Sequence, residues 1–165
     1  MTLFSAALSE KANAILAACK QQGVTLATVE SCTGGLLSAI LTELPGSSRM
    51  FTHGFVTYAN EAKSEMVGVD AVLIEEYGAV SEPVARAMAE GALKTCSASL
   101  AISITGIAGP DGGSAEKPVG TVHFAAAMKG KPTIHQRLVF TGDRSAIRLA
   151  AVNAALDMIV AELAQ

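Results

Sequence analysis

A serine stands where the chain turns from an apolar segment into a helical pattern. This residue, Ser31, lies in the run ESCTGG at residues 30–35. A hydroxyl at such a turn is exposed and can act as a nucleophile, and N–H groups at a helix start can hold an oxyanion. Gly34 and Gly35 fall in the predicted first helical turn, where each costs about 1 kcal/mol relative to Ala. We therefore expect a ligand to approach this backbone; the alternative is a serine that only caps the helix.

A serine nucleophile needs a base, and Lys63 is the candidate that the helical pattern provides. If Asn60 caps the helix over residues 60–67, Lys63 is its N3 residue, where the positive end of the helix dipole opposes an ammonium and lowers the pKa of the amine. Partial burial would lower this pKa too. Tyr58 precedes Lys63 by five residues and could orient it or relay a proton. The alternatives are a solvated lysine and a tyrosine that packs at a strand end.

Two further clusters have the residue types of a binding site. Thr105 and Gly106 end an apolar run, and the glycine-rich loop GIAGPDGGS that begins at Gly106 could wrap a phosphate or a planar ring. The loop matches neither GxGxxG nor the P-loop, so it predicts no dinucleotide or ATP site. Arg144 begins the last predicted helix, where a bound phosphate or carboxylate would suit it. The alternatives are a plain connector and an ion pair of Arg144 with Asp143 or Glu116.

The cysteines and histidines indicate no metal site. The cysteines are odd in number and lack metal-ligand spacing, and the histidines are scattered and provide no ligand pair. We expect the histidines at or inside strands, away from the site. Cys32 is a rival nucleophile because it is adjacent to Ser31. The residues are Cys19, Cys32, Cys96, His53, His123 and His135. The spacing of these residues therefore predicts no metal site.

Composition narrows the class of protein further. The chain has 165 residues, of which 50% are hydrophobic and 16% charged, so it is expected to fold, as one domain over residues 1–165. With 4% aromatic residues, a net charge of −3 and no basic run, it lacks the features of a nucleic-acid-binding protein. No apolar stretch reaches the ~18 residues of a membrane span, and no signal peptide is recognisable. We expect a soluble, cytoplasmic protein.

Strands and helices alternate along the predicted chain. Apolar spacing from Leu8 predicts a first helix that ends at Gly23, and Ser81 and Asp143 are expected to begin the last two helices. The predicted strands are residues 24–30, 53–58, 99–105, 119–128 and 132–140, and the other predicted helices are 33–44 and 60–67. This alternation predicts a three-layer α/β domain with a mostly parallel sheet, mixed if residues around Gly130 form a hairpin. The polar clusters follow strands, at the edge where such folds bind ligands.

With these residues in place, the chain resembles the CinA C-terminal domain family, which includes stand-alone bacterial nicotinamide-nucleotide amidases. The resemblance covers residues 28–148 and rests on five runs: VESCTGG, GFVTYANEAKSEMVGV, GAVSEPVARAMAEGAL, SITGIAGPDGGSAEKPVGTV and GDRSAIR. It implies a three-layer α/β/α sandwich with a mixed, mostly parallel five-stranded sheet. It also implies hydrolysis of the carboxamide of nicotinamide mononucleotide to nicotinic acid mononucleotide and ammonia. The family's functional residues fall on Ser31, Lys63, Tyr58, Thr105 and Arg144.

The implied mechanism uses no metal or cofactor. Neutral Lys63 takes the proton of Ser31, the alkoxide attacks the carboxamide, and N–H groups at the helix start hold the oxyanion. Arg144 and the glycine loop hold the ribose phosphate, although Arg148 is a second candidate for that contact. The alternatives are a non-catalytic nucleotide-binding module linked to competence or DNA damage, and a cysteine hydrolase that uses Cys32. Homo-oligomerisation, and a site shared between subunits, stay open.

Overall fold

The computed structural model describes residues 3–165, in which five strands alternate with six α-helices and one 3₁₀ turn at Ser47–Arg49. The strands are β1 (Leu26–Glu30), β2 (Phe51–Val56), β3 (Leu100–Gly106), β4 (Thr121–Met128) and β5 (Ile134–Val139). The helices are α1 (Ala6–Gln22), α2 (Leu36–Thr42), α3 (Asn60–Val67), α4 (Ala71–Tyr77), α5 (Glu82–Thr95) and α6 (Arg144–Leu163).

The five strands form one mixed sheet in the order β2-β1-β3-β4-β5. β1 is parallel to both of its neighbours, β2 and β3, whereas β4 is antiparallel to both β3 and β5. Four strands therefore run in one direction, and the prediction of a mixed, mostly parallel sheet is confirmed. The hairpin predicted around Gly130 joins β4 to β5, and Gly130 has a φ of 81°, which a residue with a side chain rarely adopts.

Helices cover both faces of the sheet, which confirms the three-layer arrangement. One face packs against α1, α2 and α6 through buried residues such as Ile15, Leu37 and Leu156. The other packs against α3, α4 and α5, with Val67 and Met88 in its core. The central strands β1 and β3 are buried along nearly their whole length, as strands covered on both faces must be.

Several predicted helix ends are confirmed. Gly23 ends α1 in the left-handed conformation and donates its N–H to the carbonyl of Cys19. Asp143 precedes α6 and accepts the N–H of Ala146 on its side chain. Ser81 precedes α5 as predicted, but its hydroxyl donates to the carbonyl of Gly78 and does not cap the helix.

Other predicted boundaries were wrong, and two of them affect the site. Strand β2 ends at Val56, so Tyr58 lies in the loop before α3 and not at the strand end. Helix α3 begins at Asn60 itself, after Ala59, and the Asn60 side chain does not cap it. Lys63 is therefore the fourth helical residue, not N3. Helix α4 was missed altogether because it is short and amphipathic over only two turns.

Candidate active site

The loops that follow β1, β2 and β3 converge on one cleft, as the position of the polar clusters predicted. Its volume is about 290 Å³. Parallel neighbours bring the carboxyl ends of these three strands to the same edge of the sheet. The lining residues are Ser31, Cys32, Tyr58, Asn60, Lys63, Ala79, Val80, Thr105, Gly106, Ile107, Ala108, Gly109, Asp111, Gly112 and Arg144.

Ser31 and Lys63 meet at the base of this cleft. The Lys63 Nζ atom lies 3.3 Å from the Ser31 Oγ atom, although the residues are 32 positions apart in sequence. The same Nζ donates to the carbonyl of Thr57 at 2.8 Å and to that of Tyr58 at 3.5 Å. A neutral amine has two N–H bonds and one lone pair. With both N–H bonds directed at the carbonyls, the lone pair is left for the hydroxyl proton of Ser31.

Burial is the main reason why the Lys63 amine favours its neutral form. The side chain is 1% exposed, and burial lowers the pKa of Lys63 below its ordinary value, while Cys32 and Glu61 act in the opposite direction. Within residues 3–165, no carboxylate forms a salt bridge with Lys63. The expectation of a lowered pKa agrees with this, and partial burial, one of the two causes expected for it, is the largest cause. The other expected cause, a position at N3 of the helix, was wrong because Lys63 is the fourth helical residue.

The turn that holds Ser31 is fixed by Glu30, a residue for which the sequence analysis assigned no role. The Glu30 side chain is fully buried. Its Oε2 accepts the N–H groups of Gly35 and Leu37, each at 3.0 Å, and its Oε1 accepts the N–H and the hydroxyl of Ser38 at 2.8 and 2.7 Å. The N–H groups at the start of α2 are thus already used by a carboxylate. We expected N–H groups at this helix start to hold the oxyanion of a substrate, and for those of Gly35, Leu37 and Ser38 this expectation was wrong.

Gly34 and Gly35 belong to the turn before α2 and not to its first helical turn. Their φ angles are 58° and 97°, in the left-handed region that favours glycine. This backbone conformation accounts for both glycines without a ligand. Neither residue lines the cleft, and their role in substrate binding stays a prediction.

Arg144 and Tyr58 meet across the mouth of the cleft. The Arg144 Nη2 donates to the Tyr58 hydroxyl at 2.9 Å, and Nη1 donates to the carbonyl of Gly109 in the glycine-rich loop at 2.7 Å. In the described chain Arg144 pairs with neither Asp143 nor Glu116, so both ion-pair alternatives were wrong. Arg144 is exposed at the first position of α6 and lines the cleft, so an anion in the cleft can reach its guanidinium.

Thr105 and Gly106 form the part of the wall at the end of β3. The Thr105 hydroxyl donates to the carbonyl of Ala79 at 2.8 Å and thereby fixes the segment before α5. A Cβ atom on Gly106 would lie 2.7 Å from the Val122 side chain and 3.1 Å from the Cys32 Sγ atom. Glycine is required here because strand β4 and the Ser31 turn approach too closely for any side chain.

Cys32 is poorly suited to be the nucleophile. It is 5% exposed and packs in the apolar core, and burial raises the pKa of its thiol to about 11. At neutral pH the sulfur is a thiol and not a reactive thiolate, which removes the physical basis of the cysteine-hydrolase alternative.

The histidines are also away from the cleft, but two of them, His123 and His135, lie side by side. The His123 Nδ1 lies 2.9 Å from the His135 Nε2 across the β4–β5 hairpin. Burial lowers the pKa of His123 to about 4, so this ring is neutral near pH 7. The sequence analysis missed the pair because strand register, not sequence spacing, brings the rings together.

Two cleft residues carry polar side chains that the sequence analysis did not assign to the site. Asn60 was interpreted as a helix cap, and Asp111 lies in the glycine-rich loop. The only feature of the sequence that could have assigned them to the site is their position after predicted strands. Over residues 3–165, no cluster of three or more metal-ligating side chains occurs, and no helix is both long and apolar enough to cross a membrane.

Comparisons with known proteins identify relatives of this chain. The profile of the CinA C-terminal domain matches residues 8–163. The nicotinamide-nucleotide amidohydrolase PncC of Escherichia coli K12 is 53% identical over 142 residues, which cover 86% of each chain. The CinA-like protein of Acidobacterium capsulatum is 52% identical over 140 residues, but the match spans 34% of that longer protein. The crystal structure of the competence/damage inducible protein CihA from Agrobacterium tumefaciens superposes with a TM-score of 0.96 at 45% identity, with 100% of both chains covered.

The Glu30 carboxylate generates a prediction about stability. Glu30→Gln replaces one acceptor oxygen by an NH₂ group that faces N–H donors, so at least one buried donor loses its partner. We expect the free energy of unfolding to fall by about 2–3 kcal/mol, measured by urea denaturation. Glu43→Gln, at the exposed end of the same helix, is the control and should change stability by less than about 0.5 kcal/mol. Equal, small effects of both substitutions would contradict the anchoring role.

Proposed function

The chain belongs to the CinA C-terminal domain family, and we propose that it hydrolyses the carboxamide of nicotinamide mononucleotide to nicotinic acid mononucleotide and ammonia. The relative named for this reaction, PncC, matches most of the chain at 53% identity. The observation that carries the mechanism is the contact of a buried lysine amine with a serine hydroxyl at 3.3 Å, at the base of an open cleft.

In the first half of the reaction, Ser31 is the nucleophile and Lys63 the general base. The Lys63 amine accepts the hydroxyl proton while the Ser31 Oγ forms a bond to the carboxamide carbon. The carbonyl π electrons move to oxygen, which gives a tetrahedral oxyanion. Burial of Lys63 supports this role because an amine must be neutral to accept a proton.

In the second half, the oxyanion collapses and the C–N bond breaks. The leaving nitrogen takes the proton from the Lys63 ammonium and departs as ammonia, which leaves an ester on Ser31. Lys63 is again neutral and activates a water molecule that attacks this ester. The ester C–O bond to Ser31 breaks, the Lys63 ammonium returns the proton taken from water to the Ser31 Oγ, and the carboxylic acid formed releases its proton to the solvent. The enzyme thus returns to its starting state.

The rest of the nucleotide is held by the walls of the cleft. Arg144 is the cation at the mouth of the cleft. Its hydrogen bond to the Tyr58 hydroxyl holds the guanidinium against the loop between β2 and α3. We assign the phosphate to Arg144 and the glycine-rich loop, and the carboxamide end to the wall formed by Thr105 and Gly106. Binding of the remote phosphate would supply energy to position the reacting amide.

Further expectations from the sequence accompany this proposal. They are a single domain over residues 1–165, a cytoplasmic location, no cofactor and no nucleic-acid partner. They rest on composition and resemblance, and they stay predictions.

The proposed reaction is tested directly by ammonia release from nicotinamide mononucleotide. Ser31→Ala should lower kcat by more than about 1000-fold because no other group at the base of the cleft can form the acyl-enzyme. Cys32→Ala keeps the hydroxyl and the base and should lose less than about 10-fold. No ammonia from the unaltered protein would favour the non-catalytic nucleotide-binding module, and the reverse order of the two variants would make Cys32 the nucleophile.

The role of Lys63 predicts a direction of pH dependence. Because the amine must be deprotonated in the free enzyme, kcat/KM should rise with pH and level off above the pKa of Lys63, which burial places below the ordinary 10.5. Lys63→Arg should lower kcat by at least about 100-fold at every pH, since a guanidinium cannot lose its proton in this range. Lys131→Arg, on an exposed turn, is the control. A Lys63→Arg variant with normal turnover would exclude Lys63 as the base.

The assignment of Arg144 predicts selectivity for the phosphorylated substrate. A charge-assisted hydrogen bond contributes about 1.5–3 kcal/mol, so Arg144→Ala should lower kcat/KM for nicotinamide mononucleotide at least about 10-fold. The value for nicotinamide riboside, which has no phosphate, should change by less than about 3-fold. Arg49→Ala, an exposed arginine outside the cleft, is the control. Equal losses on both substrates would assign Arg144 to the scaffold or to the reacting carboxamide.

A further inference from the structure

A second arginine of α6, Arg148, contacts the Ser31 turn from outside the cleft. Its Nε donates to the carbonyl of Cys32 at 3.1 Å, and its Nη2 donates to the carbonyl of Thr33 at 2.9 Å. These contacts join residues 116 and 115 positions apart in sequence. Arg148 is half-buried and does not line the cleft, whereas Arg144, one helical turn earlier, does. The two arginines therefore have different surroundings and can have different tasks.

The two contacts fix the direction of the peptide groups in the turn. In a trans peptide the C=O and the following N–H point in opposite directions. Because the carbonyl of Cys32 faces Arg148, the N–H of Thr33 points away from Arg148. The next peptide is held on both sides, since the carbonyl of Thr33 also faces Arg148 and the N–H of Gly34 donates to the carbonyl of Ser31 at 3.0 Å.

Two N–H groups of this segment are left without an acceptor. Glu30 uses those of Gly35, Leu37 and Ser38, and Gly34 uses its own within the turn. The N–H groups of Cys32 and Thr33 donate to no carbonyl, carboxylate or hydroxyl oxygen of residues 3–165. Thr33 is fully buried and does not line the cleft, whereas Cys32 is 5% exposed and lines it, so of the two only the N–H of Cys32 can meet a ligand there. This N–H directly follows the proposed nucleophile, which is the place where serine hydrolases need a donor for the oxyanion.

We infer that the N–H of Cys32 is an oxyanion donor of Ser31, and that Arg148 is the positioning residue that orients it. Arg148 holds the Thr33–Gly34 peptide by its carbonyl, and the N–H of that peptide holds the carbonyl of Ser31, so the N–H of Cys32 on the opposite side of the Ser31–Cys32 peptide keeps its direction. This inference rests on the proposed function and replaces the donors at the start of α2, which Glu30 occupies. The guanidinium also strengthens this donor, because hydrogen bonds polarise one another in sequence from the Thr33 carbonyl through the Gly34 N–H to the Ser31 carbonyl.

Measurements of kcat and KM distinguish an Arg148 that positions the oxyanion donor from an Arg148 that binds the phosphate. Arg148→Met keeps much of the apolar stem but removes both hydrogen bonds. We expect kcat for nicotinamide mononucleotide to fall about 100-fold with KM changed less than about 3-fold, since the oxyanion exists only after the attack. Arg148→Lys can donate to one of the two carbonyls and should recover part of the loss. A raised KM with normal kcat would overturn the inference and assign Arg148 to the phosphate.

The control is Arg86→Met, which removes another arginine that donates to a backbone carbonyl, that of Thr133, away from the cleft. It should keep a normal kcat. If Arg148→Met does not fold, Arg148→Lys decides: a kcat at least about 5-fold below that of the unaltered protein supports the inference, because a point charge cannot replace the two-pronged contact. A kcat for Arg148→Lys equal to that of the unaltered protein contradicts it.

A spectroscopic measurement separates this inference from the proposed function. In ¹⁵N-labelled protein without substrate, Arg148→Lys should shift or broaden the backbone amide signals of Cys32 and Thr33, while Arg86→Met leaves them unchanged. If these signals respond but the unaltered protein releases no ammonia from nicotinamide mononucleotide, the proposed function fails and the positioning of the turn stands. If ammonia is released but the amide signals are the same in both variants, the positioning role of Arg148 is refuted.

Discussion

The buried carboxylate of Glu30 is the interaction on which the geometry of the site depends. Through its side chain it receives four hydrogen bonds from the start of α2, and so it sets the path of the intervening turn with Ser31. Through its backbone carbonyl it accepts the N–H of Thr57 at 2.8 Å, which holds the segment whose carbonyls contact Lys63. One residue therefore ties Ser31 and Lys63, the proposed nucleophile and base, to the end of the same central strand. A fully buried carboxylate is tolerated because every donor around it is directed at it.

The Lys63 amine obeys a different constraint, since it is buried without a countercharge. Two backbone carbonyls and one hydroxyl satisfy its hydrogen bonds, but none of them supplies a negative charge. A charged amine would lose its hydration here with little return, and the fold therefore shifts the balance towards the neutral form. A nearby carboxylate would stabilise the protein at this point but would keep the lysine protonated. The absence of a salt bridge to Lys63 within residues 3–165 therefore favours the neutral amine that the proposed mechanism needs.

Helix α6 serves the cleft with two arginines one turn apart. Arg144 reaches into the cleft and contacts Tyr58 and the glycine-rich loop. Arg148 lies behind the turn of Ser31 and contacts its carbonyls. Residues four apart lie on the same face of a helix. The placement of α6 therefore brings Arg144 to the cleft and Arg148 to the opposite side of the Ser31 turn. The N-terminus of α6 is in this way part of the site, although the rest of the helix packs in the core.

Local apolar spacing, glycines and caps predicted the five strands and five of the six helices in their order along the chain, but not α4. The sequence by itself also placed Ser31, Lys63, Tyr58, Thr105 and Arg144 at one edge, because each follows or begins an element whose end must lie there. Tertiary packing set four further features. They are the contacts of Glu30 with α2, the burial of Lys63, the pairing of His123 with His135 and the hydrogen bonds of Arg148 to the Ser31 turn. Most of these join residues far apart in the chain, up to 116 positions for Arg148, and even the short-range contacts of Glu30 depend on where the turn ends. These features depend on sheet order, on the placement of α6 and on the packing of elements against one another, which local spacing of residues does not encode.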